Sequence, residues 1–460
     1  MINRNRLQLS KIALCVAIAV GSATVYAQNT TSALAGRITA VDGKSVAGAA
    51  VKIVHVDSGS VTNVVTDADG RYSARGLRTG GPYTITITKD GKTETRNNVF
   101  LTLAETAVLD AKLGEQKPKV ETIEVAASAV ADAFSKTAMG AGSNISRAEL
   151  DAFGSINRNL QDYARNDPRL SQTDKERGEI SLGGQNSRYN SITIDGVTTN
   201  DTFGLESNNL PTQKQPISID AIQSVQVNVS NYDVTQKGYT GVNINAITKS
   251  GTNDFKGSVY KVYRDQKMVG DRYNRSTNTY TPVLPFSEDT KGFTLGGPII
   301  KDKLFFFVSY EELASTKASP AFGPIGSSLT NVGITPTAIS GLQSIALSTY
   351  RVDLGNADTP SGMLTVKDLT AKLDWNINDR HRANVRYNKT EQSEPIFQNY
   401  SITQLAYSSN NYSQVKEIET AVAQVFSDWT DNFSTEFKIS KRNYDSVPVS
   451  PTTLPQMAFS

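Results

Sequence analysis

The chain has 460 residues, with 47 basic against 45 acidic side chains, so its formal charge of +2 offers no field that would hold nucleic acid. Its one cysteine, Cys15, excludes a disulfide framework, and its only histidines, His55 and His381, are too far apart in sequence to suggest zinc or triad chemistry. No catalytic residues, metal ligands or cofactor site are expected.

Arg4, Arg6 and Lys11 precede an apolar run over 12–20, and Val25-Tyr26-Ala27 has the small residues a signal peptidase needs. Residues 1–27 are expected to be a signal peptide, cleaved between Ala27 and Gln28. A retained anchor is the alternative, but the run falls short of the roughly 20 residues that span a bilayer. Leu14, where a small residue is expected, argues against lipidation at Cys15.

Residues 28–113 read as a small β-sandwich, with strands at 34–39, 46–53, 66–72 and 82–87 separated by turns. Asp67 and Asp69 before Gly70 have a calcium-loop flavour, but the closing Glu is missing, and a hairpin turn is the better reading. Residues 114–135 form a linker that opens at Lys117-Pro118-Lys119. Within it Glu121, Thr122, Ile123, Glu124 and Val125 make a short β-prone segment able to add as a strand to another protein's sheet edge. The bland alternatives are plain linker or a last sandwich strand.

Residues 136–253 read as a compact α/β domain. Ser146 with Glu149 forms a capping box, and Asp167-Pro168 turns the chain. Ile192 and Ile194 alternate with Thr193 and lead into the turn at Asp195-Gly196, and Val225, Val227 and Val229 alternate with polar residues, so a small mixed sheet is expected. Gly183, Gly184, Asp195, Gly196 and Gly241 are assigned to turns as structural residues.

After residue 27 no apolar stretch is long enough for a membrane helix, yet 254–460 shows the dyad period of membrane strands. Ala371, Leu373 and Trp375 alternate with Lys372, Asp374 and Asn376, and 383–387 and 433–440 repeat the pattern. Further strands are expected at 255–264, 292–296, 304–311 and 420–429. Short links at 297–303, 376–380 and 430–432 alternate with long polar ones at 265–290, 312–365 and 390–418, as in an outer-membrane barrel. A soluble sandwich would not usually place loops this long at every second connection. The fold expected is therefore mainly β: signal peptide, small β-sandwich, α/β domain, then the first strands of an incomplete antiparallel transmembrane β-barrel.

The order Leu182-Gly183-Gly184-Gln185, Ile192 to Val197, 218–227 and 241–251 resembles the plug domain of TonB-dependent outer-membrane receptors. Ser230-Asn231-Tyr232-Asp233-Val234 and 245–253 resemble its Oar-like branch, and 31–113 resembles the carboxypeptidase regulatory-like domain, grouped with carbohydrate-binding-like folds. The resemblance implies that residues 121–125 are a TonB box engaging TonB and its inner-membrane energy-transducing complex. It also implies an outer-membrane barrel in lipid, with the sandwich and plug on the periplasmic side, and an external ligand: carbohydrate, metal chelate or peptide. Arg165, Arg177 and Arg188 are candidates for buried salt bridges between plug and wall, or else solvated or turn-supporting arginines. Family barrels have about 22 strands. The 207 residues from 254 to 460 are too few for them, so the chain reads as the amino-terminal part of a longer receptor or the product of a truncated gene. A surface adhesion protein without transport and a non-functional relic are the competing readings.

Overall fold

The computed structural model describes residues 30–103, 106–114, 140–155, 157–164, 166–174, 178–214, 216–231, 239–283, 285–317, 322–357, 362–430 and 433–450. Ala27, Gln28, the segment from Glu121 to Val125, Arg165 and Arg177 lie outside the described residues.

The first domain packs β1 (Ser32–Ala40), β2 (Ala50–His55), β3 (Ser60–Val65), β4 (Arg71–Leu77), β5 (Gly80–Lys89), β6 (Lys92–Leu101), β7 (Thr106–Val108) and β8 (Ala111–Leu113) into two sheets. Their orders are β4-β1-β7, with β8 also on β1, and β3-β2-β5-β6. Inward side chains Leu34, Ile38, Val51, Ile53, Ile85 and Ile87 alternate along the strands and are fully buried between the sheets. The strand expected at 66–72 begins only at Arg71. The Asp67 carboxylate accepts from the N–H groups of Asp69 (2.9 Å) and Arg71 (2.8 Å), which makes 67–70 a turn.

The second domain contains β9 (Gly140–Ile145), a short helix at Arg147–Ala152, a second at Leu160–Ala164, β10 (Leu170–Asp174), β11 (Glu179–Leu182), β12 (Ser191–Ile194), β13 (Val197–Thr198), β14 (Ile222–Asn231) and β15 (Asn243–Thr248). The first helix starts at the expected capping box: Ser146 Oγ accepts from Glu149 N and the Glu149 carboxylate accepts from Ser146 N at 2.7 Å. The main sheet runs β13-β12-β15-β14-β9, with β12 and β15 parallel and its other neighbours antiparallel. Ile192, Ile194, Val225, Val227, Ile244 and Ala246 form its core with Leu150, Leu160 and Tyr163 from the helices.

The third part adds β16 (Lys256–Asp265), a small hairpin of β17 (Arg272–Asn274) and β18 (Thr279–Thr281), β19 (Ser287–Ile300), β20 (Leu304–Lys317), the bridge of β21 (Phe322–Gly323) with β22 (Thr330–Asn331), β23 (Gly362–Asn378), β24 (His381–Ile396), β25 (Tyr412–Thr430) and β26 (Phe433–Val449). The long strands form an antiparallel meander, β16-β19-β20-β23-β24-β25-β26. Several exceed the sequence expectation and reach 14 to 19 residues, because polar flanks that read as loop continue the ladder beyond the roughly 9–11 residues that cross a bilayer. Pro448 sits inside β26 at the sheet edge, where a missing N–H breaks no ladder.

The wall reverses the burial pattern of a water-soluble sheet. Along β23, Asp368, Thr370, Lys372, Asp374 and Asn376 are buried, whereas Leu373 and Trp375 are 46% and 51% exposed. On β24, Arg386, Asn388, Thr390 and Gln392 are buried while Val385 is 52% exposed. An apolar outer face over a polar inner face is the requirement of a sheet between lipid and a lumen. Trp375, Trp429, Phe433 and Phe437 lie on the outer face near the short turns, where an aromatic girdle belongs.

Several short elements escaped the sequence reading, and the longest of them is the helix Pro336–Tyr350 inside the long link before β23. Thr335 caps it, with its hydroxyl accepting from Ala338 N at 3.2 Å, and Pro336 opens its first turn. Ala346, Ile339 and Leu342 pack on Val352, Leu354 and Tyr407, and the Tyr407 hydroxyl donates to Ile339 O at 2.8 Å. Two long links on the same rim thus fold as one unit.

Candidate functional site: the plug and wall interface

The expected turn residues occupy demanding backbone. Gly183, Gly184 and Gly196 have φ of 58°, 85° and 69°, and Asp195 is left-handed at 47°. Gly241 is constrained by space instead: a Cβ there would lie 2.2 Å from Asn190 Oδ1. Asn190 is buried, accepting from Val242 N at 3.0 Å and donating to Ile180 O at 2.8 Å.

Asp195 does more than turn the chain. Its carboxylate accepts from Thr248 N (2.8 Å) and Thr248 Oγ1 (2.7 Å), which ties the end of β12 to the end of β15. Arg386 of the wall brings Nε to 3.1 Å from Oδ2, off the line of a hydrogen bond, and donates from its other end to Ile194 O at 3.1 Å. Lys438 donates to Asp195 O, and Lys372 reaches Thr248 Oγ1 at 3.2 Å. Burial pushes the Asp195 carboxyl up, but Lys372, Arg386 and the Thr248 bonds outweigh it and hold the group below the usual carboxylate range.

A second cluster lies around Arg158 of the plug. Its guanidinium meets Asp220 at 2.5 Å and Glu311 of β20 at 3.2 Å, and stacks 4.8 Å from the Tyr260 ring centroid. Glu311 also accepts from the Tyr260 hydroxyl (2.6 Å) and from Ser218 Oγ (3.0 Å). Beside it, Lys214 pairs with Glu288 at 3.0 Å, and Arg264 reaches the same carboxylate at 3.1 Å. The cavity between these groups is about 30 Å³, room for a water or two and no larger solute.

Further around the wall, Glu206 meets Lys416 at 2.5 Å, and burial pushes the Glu206 carboxyl up against that cation's pull. Arg442 donates to Asn200 O (3.0 Å), Tyr444 to Pro211 O (2.9 Å), Thr390 to Pro216 O (3.0 Å), and Gln392 accepts from Gln213 N (2.8 Å).

Arg188, a candidate for such a bridge, is turned away. It is exposed and donates to Gly204 O at 2.6 Å within its own domain, so it supports a turn. Among the described residues, the plug arginine that pairs with a wall carboxylate is Arg158, which sequence reading missed because its partners lie 62 and 153 residues away.

Three family models match. The carboxypeptidase regulatory-like domain covers residues 33–114, the TonB-dependent receptor plug domain 135–247, and an outer membrane beta barrel domain 247–333. The TonB-dependent transporter Oar of Myxococcus xanthus is 30% identical over 286 residues, covering 59% of this chain and 26% of that protein. Similar solved structures include the outer membrane transporter YddB from Escherichia coli, at 12% identity, TM-score 0.45, 65% of this chain and 38% of that one. The siderophore receptor PirA from Acinetobacter baumannii gives 17% identity and TM-score 0.44 over 66% and 40%. The chain thus spans about a quarter of its curated relative's length and about two fifths of these solved chains.

Proposed function

The chain is a TonB-dependent receptor sequence of the Oar type with its place in the outer membrane, and from that premise we propose that it contributes the gate of an energised importer. An external ligand binds above the plug, TonB adds a strand to residues 121–125, and the pull transmitted to the plug loosens it from the wall. No catalytic step is assigned.

The observation that carries this reading is the plug's attachment. It is held to a lipid-backed wall mainly by reciprocal ion pairs and single hydrogen bonds, which can be broken one after another, and among the described residues only Phe307 of β20 joins the plug's apolar core from the wall. Among the described residues the edges β16 and β26 do not pair with each other, and open edges in hydrocarbon leave backbone groups unsatisfied. The rim bearing the short turns would face the periplasm. The sandwich touches that rim, which favours transport over surface adhesion, since an adhesive module would need to face outward.

The test is site-specific cross-linking to TonB in energised membranes. Replacing Ile123 with Pro removes a backbone donor from the added strand and should abolish the cross-link. An unchanged cross-link would refute the assignment of the box.

A further inference from the structure

The N-terminal sandwich is not a free appendage. Its 57–59 loop sits on the short-turn rim: Asn253 N donates to Asp57 O at 2.7 Å, Lys256 pairs with the Asp57 carboxylate at 2.9 Å, and Asn376 donates to Ser58 O at 3.5 Å. Gly59 lies so close that a Cβ would fall 2.1 Å from Asp302 Oδ1. Asn63 reaches Asp379 in the next short turn at 3.4 Å.

The contact continues into the lumen. Arg382 of β24 donates to Gly76 O, Arg78 reaches Asn376 Oδ1 at 3.5 Å and lies 4.0 Å from Asp374, and its guanidinium is 5.8 Å from the Phe305 ring centroid. Gln424 of β25 donates to Thr30 Oγ1 at 2.9 Å. The plug is touched as well, where Gln226 donates to Leu103 O at 3.3 Å. Asp374 and Asn376 belong to the lumen-facing row and are buried here.

Two consequences follow. The sandwich occupies the space through which the plug would move toward the short-turn rim. The bonds that keep it there are mostly polar and partly exposed, and such bonds are individually weak, as in a releasable contact between domains of one chain. We propose that the sandwich is an intramolecular stop beneath the plug, and that the plug opens only when the sandwich has let go of the rim. This rests on the plug being the moving gate.

The test uses the full chain in detergent with Cys15→Ser, so that introduced thiols stand alone. Asn63→Cys with Asp379→Cys is joined by a short bis-maleimide, and amide exchange is followed in β12 and β15. A control bridge joins Thr84→Cys to Asn97→Cys, neighbours inside the sandwich whose side chains are 3.1 Å apart. The expected result is plug exchange slowed at least tenfold by the rim bridge and not by the control. Equal slowing by both bridges overturns the proposal, because sandwich stability alone would then be responsible. No slowing by either overturns it too, because the plug then opens beneath a docked sandwich. Joining the same rim pair, Asn63→Cys with Asp379→Cys, through a bis-maleimide that carries an internal disulfide gives a reducible version in which reductant should restore the faster exchange. TonB cross-linking to residues 121–125 is read separately, so failure of the box leaves this result interpretable.

Discussion

Replacing Asp195 with Asn isolates the charge that holds plug to wall. The amide keeps Oδ1 for Thr248 N and tolerates the left-handed backbone, so the turn at φ 47° survives. What is lost is the attraction to Arg386, whose Nε stands 3.1 Å from the carboxylate and whose side chain is 2% exposed, together with the acceptor Oδ2 that takes the Thr248 hydroxyl's hydrogen bond. At an effective dielectric near 20, unit charges at that separation attract by about 5 kcal/mol. Removing one partner of a buried pair costs about 3–5 kcal/mol, because the other is left in low dielectric without compensation. With Lys372 and Lys438 adjoining, the plug's end of β12 would face three cations. Amide exchange in β12 and β15 should accelerate by roughly 10²–10⁴-fold, at about 1.36 kcal/mol per decade. In an Arg386→Gln background the same change should cost far less. The sign with pH follows from the depressed carboxyl: the pair's contribution is present above the ordinary value of 3.8 and is lost as pH falls through the folded value, so the variants converge in acid. An acceleration under tenfold, or one unaltered in the Arg386→Gln background, would refute the reasoning.

His55 is buried, with Nδ1 2.8 Å from Ser58 Oγ, and burial, then Arg78, lowers it to about 4 against 6.5 in the unfolded chain, with Asp57 opposing and Lys256 and Arg382 reinforcing. A lowered histidine leaves stability intact above pH 6.5 and removes it as pH falls toward 4, by roughly 3 kcal/mol. Urea unfolding of the sandwich between pH 7 and 4 measures this loss, and His55→Phe should flatten the slope. Gly241→Ala drives a Cβ into Asn190, which anchors Val242 and Ile180, and overpacking of this kind costs about 1–3 kcal/mol. Proteolysis of the plug at graded urea should detect it. Ser146→Ala removes the cap from the helix Arg147–Ala152 and should cost about 1 kcal/mol, seen as faster exchange there with the wall unaffected.

Much of the architecture was legible because it rests on local rules. The alternation through Leu373 and Trp375 gives the wall its two faces, Ser146 and Glu149 announce a helix start, and Asp195-Gly196 announces a tight turn. Strand ends were less legible, since polar residues such as Lys416 and Glu394 read as loop until the ladder beside them is known. The Thr335-Pro336 start of the loop helix was readable in principle, as a cap followed by proline ahead of Ile339 and Leu342. The ion pairs were not, because Arg158 and Glu311 meet only after two domains have been brought together. The docking of the sandwich was equally hidden: Asp57, Asn63 and Arg78 are ordinary surface residues until Lys256, Asp379 and Asp374 arrive opposite them.

Alternation alone separates lipid from lumen but does not separate a water-filled lumen from a plugged one, since both demand polar inward side chains. The distinguishing feature is that charge is exchanged in both directions across this interface. Wall cations Arg386 and Lys416 meet plug carboxylates Asp195 and Glu206, while plug cations Arg158 and Lys214 meet wall carboxylates Glu311 and Glu288. A lumen filled by water would solvate each of these groups separately and would fix no pairing. Reciprocal pairing at three separated places, two of the four pairs sharing one cavity, sets the rotational position of the plug, because turning it by one strand would bring like charges together or leave buried charges alone, at several kcal/mol each. Under the proposed pull, the same arrangement would release stepwise, since each pair contributes separately from the apolar contact at Phe307. Specific seating, and the release proposed for it, therefore rest on one set of residues.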